Sequence, residues 1–143
     1  MKIRIKRFDK SLPLPEHKTA GAAAFDLLAR EDTSIPPHEI GYVPLNVAIE
    51  TPPGHFLLLA ARSSTHKKGL LPANGIGIGD PDFAGDNDQY HIPYYNITDK
   101  EIVVTKGERI AQAMFIKRTE FEWEEVDELG NKDRGGFGST GTH

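Results

Sequence analysis

Ten prolines and fourteen glycines divide this chain of 143 residues into short segments, none with the periodicity of a long amphipathic helix. What the segments carry instead is alternation. Ile3 and Ile5 share one face of residues 2–8, with charges on the other, the pattern of a half-buried strand. Val43, Leu45, Val47 and Ile49 alternate with smaller or polar residues across 39–50, which predicts one strand. Residues 55–61 form an apolar run of strand length. Residues 89–96 are rich in aromatics, and Pro93 there marks an edge or a bulge. Residues 101–105 and 109–116 read as two strands separated by Lys106-Gly107, and Thr119, Phe121 and Trp123 alternate with glutamates as a last one. Turns fall at 11–15, 35–38 and 51–54, and a helical turn is expected only over 64–68. Many short strands joined by Pro/Gly turns predict an all-β fold, a distorted jelly roll or β-barrel with very little helix.

Within that frame residues 20–29 are ambiguous, because alanine favours helix. Taken as a strand, Phe25-Asp26-Leu27-Leu28 isolates one acid among apolar neighbours. A carboxylate so placed needs donors or a hydrated cation, so Asp26 is either structural or linked to a metal.

Composition narrows the function classes. The length suits one domain with its own core. No apolar run approaches the ~20 residues that span a bilayer, and the N-terminus lacks the apolar centre of a signal peptide. The absence of cysteine excludes disulfides, thiolate nucleophiles and cysteine-held metals. Six histidines show no close zinc-ligand spacing, which excludes the zinc-dependent deaminase signature. A formal charge of −4 argues against a protein that coats nucleic acid, whereas a small polyanion needs only a local cationic patch and a divalent cation. A soluble cytoplasmic protein, with no membrane and no nucleic-acid partner, is the expectation.

Residues 62–86 concentrate the chemistry. Arg62, Ser63, Ser64, Lys67 and Lys68 form a cationic hydroxyl cluster suited to phosphates. The single amide Asn74 follows in a glycine-rich turn, then Asp80 and Asp82 beside Phe83. Together they suggest a pocket for a phosphorylated nucleoside. Alone, Arg62-Ser63-Ser64 reads equally as an exposed loop and Asp80 as a turn-capping acid. Eight of the fourteen glycines lie in 75–85 and 135–141. The second group surrounds Phe137 and precedes Ser139, which fits a lid that stacks on a base; a plain flexible end is the alternative.

The order of these motifs resembles that of the trimeric dUTP diphosphatase (dUTPase) family along nearly the whole chain. Five stretches carry the likeness: Ala24-Phe25-Asp26-Leu27, Arg62-Ser63-Ser64, residues 74–85, Gly107-Glu108-Arg109-Ile110-Ala111-Gln112, and residues 134–141. The resemblance implies hydrolysis of dUTP to dUMP and pyrophosphate, which limits uracil incorporation into DNA. It implies Asp80 as the base that activates water. Asn74 and the backbone of Gly77, Ile78 and Gly79 would read uracil, and Phe83 would pack under the deoxyribose. Arg62, Ser63, Ser64, Gln112 and Arg134 would meet phosphates, and Phe137, Gly138 and Ser139 would close over the nucleotide. Mg²⁺ would be held by the triphosphate, with Asp26 and Gln112 orienting its waters. A homotrimer with composite active sites is implied, built from a β domain over 1–126 and a flexible arm over 127–143.

Three departures stand out. Gly79 replaces a bulky residue, which is expected to loosen the hairpin. Residues 86–91 are expected to bulge in a longer connection, and Arg134 directly adjoins its glycine pair. The related zinc-free dCTP deaminases share Arg-Ser-Ser, but their glutamate would fall at Tyr90 or Pro93, neither of them an acid. A non-catalytic nucleotide-binding regulator on the same fold is the other alternative.

Overall fold

The computed structural model describes residues 1–138, and Ser139 of the expected lid lies outside them. Among the described residues the chain forms eleven strands and one 3-10 turn. In order they are β1 (Ile5–Arg7), β2 (Phe25–Leu28), β3 (Thr33–Ile35), β4 (Ile40–Pro44), β5 (Val47–Ile49) and β6 (His55–Ala60). The 3-10 turn Thr65–Lys68 follows, then β7 (Leu70–Pro72), β8 (Gly77–Gly79), β9 (His91–Asn96), β10 (Ile102–Val104) and β11 (Arg109–Lys117). No described helix is long and apolar enough to cross a membrane.

The strands pair antiparallel in a jelly-roll-like arrangement. A four-stranded sheet runs β2-β11-β6-β8 and a three-stranded sheet runs β4-β9-β7, with the pairs β1-β5 and β3-β10 beside them. Alternation decides what faces inward: Leu57 and Leu59 from β6, Ile92, Tyr94 and Asn96 from β9, and Ala111 and Ala113 from β11 are buried. Tyr94 ties the two larger sheets together, its hydroxyl donating to the Ile110 carbonyl at 2.6 Å. Burial pushes that phenol up to about 12, with a Thr65 hydrogen bond opposing the shift.

The single strand expected over 39–50 is two strands with a corner between them. Asn46 takes φ 71°, a left-handed conformation that asparagine tolerates better than most residues. Its buried side chain accepts from the Asp9 amide at 2.6 Å and donates to the Asp9 carbonyl at 3.1 Å. The chain thereby leaves β9 and pairs with β1. Alternation survives the corner, so the pattern alone does not reveal it.

Pro93 is also placed differently from expectation, since β9 is the centre of its sheet rather than an edge. Its carbonyl accepts from Ala73, one residue past the end of β7. In an antiparallel ladder the N and C=O of one residue point to the same side, so its missing N–H faces the strand's end. Strand β3 was not foreseen, being three residues long and fixed by tertiary partners: its pairing with β10, the burial of Ile35 and the Asn96 amide that donates to the Ile35 carbonyl at 2.9 Å.

The expected last strand is absent. Residues 118–126 pair with no described strand, and Phe121 and Trp123 are 64% and 89% exposed, in edge-to-face contact only with each other. A strand needs a ladder partner, and among the described residues that segment has none.

Candidate active site

Strands β7 and β8 belong to different sheets, and the turn that joins them is the hairpin-like bend on which the first cleft is built. Gly75 takes φ 73°, and its amide bonds to the Pro72 carbonyl at 3.2 Å, turning the chain at Asn74. On β8 the glycines face inward and Ile78 faces out. A Cβ on Gly77 would lie 3.1 Å from the Leu59 Cβ, and one on Gly79 would lie 2.3 Å from the Tyr90 hydroxyl. Gly79 therefore does not loosen the hairpin as expected, because Tyr90 fills its space. The resulting cleft, about 340 Å³, is lined by Asn74, Gly77, Ile78, Gly79, Asp80 and Phe83 together with Leu59, Gln89, Tyr90 and His91.

Asp80 stands at the mouth of this cleft. The turn that follows is closed by backbone, the Phe83 amide donating to the Asp80 carbonyl at 3.0 Å. No described residue hydrogen-bonds or ion-pairs with its carboxylate, so the turn-capping reading fails and the acid is available to a ligand. The expected bulge over 86–91 is instead a short turn. The Asp88 side chain accepts from the Gly85 amide at 2.8 Å, and Lys6 donates to the Asp86 carbonyl at 2.6 Å. By Tyr90 the chain has rejoined the framework through Val47 and Leu45.

A second groove, of about 430 Å³, collects Asp26, Arg62, Ser63 and Gln112 with Lys18, Thr19, residues 22–24 and Met114. Register explains the grouping. Asp26 on β2 lies opposite Gln112 on β11, which lies opposite Ala60 on β6, whose continuation carries Arg62 and Ser63. The Gln112 amide nitrogen donates to the Ala61 carbonyl at 3.0 Å. Arg62 holds one Asp26 oxygen at 3.0 Å and Arg109 approaches the other at 3.8 Å. The isolated acid of the sequence thus has donors, and the structural alternative for it is satisfied.

Ser64 caps the 3-10 turn without a side-chain bond and does not line the groove. Lys68 is taken by an ion pair with Glu108, and burial, then the Arg62 charge, push its ammonium down in pKa. Of the phosphate cluster read from the sequence, Arg62 and Ser63 line this groove, with Lys18 beside them. Lys18 gave no signal of its own, since it belongs to an irregular segment placed by tertiary contacts. Gln89 and Tyr90, likewise irregular, and His91, the first residue of β9, were missed as lining residues because only tertiary packing brings them to the cleft.

The tail residues join neither cleft. Phe137 is fully exposed at φ 51°, and the Arg134 guanidinium donates to the Gly135 carbonyl at 3.3 Å. Gly138 is exposed beside it. Among the described residues no group of three His, Asp or Glu side chains could enclose a metal. Asp26 is the one carboxylate in the second groove, and its Arg109-facing oxygen can still accept from water. That arrangement suits an outer-sphere contact to a hydrated cation, which keeps several waters when bound by phosphates.

Residues 10–141 match the dUTPase family. The SPbeta prophage-derived deoxyuridine 5'-triphosphate nucleotidohydrolase of Bacillus subtilis is 41% identical over 144 residues, covering 99% of each chain. Among solved structures, dUTPase from Streptococcus mutans superposes with TM-score 0.76 at 30% identity, over 83% of this chain and 98% of that one. A Staphylococcus bacteriophage 80alpha dUTPase with dUpNHpp superposes with TM-score 0.85 at 23% identity, over 99% of both, a likeness of fold. The chain belongs to the dUTPase family.

Proposed function

We propose that this enzyme hydrolyses dUTP to dUMP and pyrophosphate, with Asp80 as general base. The observation that carries this reading is the unpaired Asp80 carboxylate at the mouth of a cleft walled by Phe83 and floored by the Asn74 turn. The turn and the backbone of residues 77–79 read uracil, and Phe83 packs against the deoxyribose. Asp80 takes a proton from a water aligned on the α-phosphorus, and loss of such a base costs on the order of 10²–10⁴-fold. Arg62, Ser63, Ser64 and Gln112 bind phosphate oxygens and stabilise charge that develops on them. Mg²⁺, held by the triphosphate, supplies Lewis-acid neutralisation of that charge. Asp26 and Gln112 orient its waters. The location is cytoplasmic, where the nucleotide pool lies.

One chain does not complete this site. Gly79 pairs with Leu57, so Asp80 continues towards Phe56, whereas Gln112 pairs with Ala60. Phe56 to Ala60 spans about 13 Å along a strand. The base therefore sits towards one end of β6 and the anion groove at the other, which supports a homotrimer whose sites combine residues of different subunits. Exposed Phe121 and Trp123 suit the same assembly. The β domain over 1–126 then extends an arm, 127–143, that brings Arg134, Phe137, Gly138 and Ser139 to a neighbour's nucleotide.

The test is a panel of deoxynucleoside triphosphates and UTP with Mg²⁺, scored for pyrophosphate and for ammonia. Pyrophosphate from dUTP alone is expected. Ammonia from dCTP, or no turnover of any nucleotide, overturns the reading.

A further inference from the structure

Gly79 and Tyr90 form one complementary unit beneath the first cleft. A Cβ built on Gly79 would meet the Tyr90 hydroxyl at 2.3 Å, Cε1 at 2.8 Å and Cζ at 2.9 Å, so the end of the Tyr90 ring occupies the place of a side chain. Tyr90 is 6% exposed, and its ring stands edge-to-face against Phe83, with centroids 5.1 Å apart and planes at 64°. Such geometry favours the pair and fixes their relative orientation. The backbone of Tyr90 is itself held at both ends of one residue, its amide donating to Val47 and its carbonyl accepting from Leu45, each at 2.9 Å. Tyr90 is thus a fixed post that two elements of the cleft lean on: the strand leading directly into Asp80, and the ring of Phe83.

The hydroxyl is buried beside the Oγ1 of Thr51, and although the two oxygens interact, neither reaches full hydrogen-bond geometry. Burial raises the phenol above its usual range, with the Thr51 contact opposing the shift. A buried phenol oxygen without a full hydrogen bond is unfavourable. What it supplies is volume in the notch left by Gly79. Phenylalanine would leave that notch open, and any side chain at Gly79 would compete for it.

We propose that Tyr90 is a positioning residue for substrate selection, which through Gly79 and Phe83 sets the width of the cleft at the Phe83 wall and so discriminates nucleoside triphosphates by their 2′ substituent. The inference rests on the dUTP reading and adds the residue that tunes it. Tyr90 lines the cleft but is almost wholly buried, so it acts chiefly through Phe83 and the backbone before Asp80. With the post shortened, the Phe83 ring can sink and room opens for a 2′-hydroxyl. With a methyl added at Gly79, the hairpin is pushed away from the post.

The experiment measures kcat/KM for dUTP and UTP in Tyr90→Leu, Gly79→Ala and the double variant, with melting temperatures recorded alongside. Tyr90→Leu is expected to lower the dUTP-to-UTP ratio by about tenfold, the scale on which a hydrophobic contact discriminates. Gly79→Ala is expected to lower kcat for dUTP, and the double variant to recover it because the leucine vacates the space that the new methyl needs. An unchanged ratio in a folded Tyr90→Leu, or a double variant no better than Gly79→Ala, overturns the proposal. Should Tyr90→Leu not fold, Tyr90→Phe alone and with Gly79→Ala provides the coupling test with partial recovery expected, since the hydroxyl is the nearest atom to the added methyl while Cε1 and Cζ remain at 2.8 and 2.9 Å; no recovery in that pair overturns the proposal. The wild type separates the two levels of inference: an enzyme inactive on dUTP removes the functional reading, whereas an active one with no coupling removes only the role of Tyr90.

Discussion

The Nε of Arg62 lies 3.0 Å from the Oδ1 of Asp26, joining the end of β6 to β2 across the intervening strand β11. The pair is partly buried, the side chains 27% and 14% exposed, so water competes for it only in part. Arg62 also donates to the Arg109 carbonyl at 3.3 Å, and its own amide donates to the Thr65 hydroxyl at 3.1 Å. Two contacts thus orient a guanidinium that the anion groove needs, and the third fixes the backbone that carries it. Asp26→Asn keeps the size and removes the charge. Unfolding in urea is expected to show a loss of about 1.5–3 kcal/mol, the range for hydrogen bonds to charged groups. A raised KM for dUTP should accompany it, since Arg62 would no longer be held. An unchanged stability and KM would mean that the pair is dispensable.

Asp80→Asn keeps the shape of the turn, which backbone alone closes. The expected outcome is a fall in kcat of about 10²–10⁴-fold with nucleotide affinity nearly unchanged. Stopped turnover with intact binding, measured by calorimetry with a non-hydrolysable analogue, checks it. Retained turnover would remove Asp80 from the mechanism.

The separation of Asp80 from the anion groove within one chain leads to a mixing experiment. Asp80→Asn and a truncation after Asp133 are each expected to be inactive. Refolded together in equal amounts, about three-quarters of cyclic trimers are mixed, and each mixed ring has one site with an intact Asp80 and an intact tail. About a quarter of wild-type activity should return. A mixture that stays inactive beside a refolded wild-type control would show that sites are not shared in this way.

Lys106 places its ammonium 2.8 Å from the Asp9 Oδ2, and Ser11 donates to the same carboxylate through its amide and its hydroxyl. The Lys106 hydrogen bond, then those of Ser11, hold the Asp9 carboxyl well below the usual range. A depressed carboxylate contributes stability that is fully present above its unfolded value, near ~3.9, and is lost as the pH falls towards its folded value. Lys106→Met should therefore melt lower than wild type at neutral pH. The gap should narrow as the pH drops below about 4. A gap independent of pH would assign the loss to packing rather than to the charge.

How much of this was legible in the chain differs from element to element. The apolar run of residues 55–61 and the apolar positions of 109–116 are local facts, and both became long strands, β6 and β11. Phe83 and Asp80 stood out as an aromatic and an acid three residues apart, directly after a glycine-rich turn, and the structure keeps them in one cleft. The corner at Asn46, by contrast, hides inside an unbroken alternation. It is decided by Asp9, which is distant in sequence and close only after folding. Trp123 shows the reverse failure: its alternation is real, yet a strand forms only where a partner ladder exists.

Local chemistry in the sequence determined the all-β class, the turns and the residue types at the site, because periodicity and glycine or proline stereochemistry act over a few residues. Only the tertiary structure decided which of those residues meet. Register along β6 put Arg62 with Gln112 and Asp26, and Asp80 with Phe83, in two places rather than one. Packing across the hairpin gave the space above Gly79 to Tyr90. Such pairings are set by the simultaneous fit of elements far apart in the chain, which no local pattern encodes.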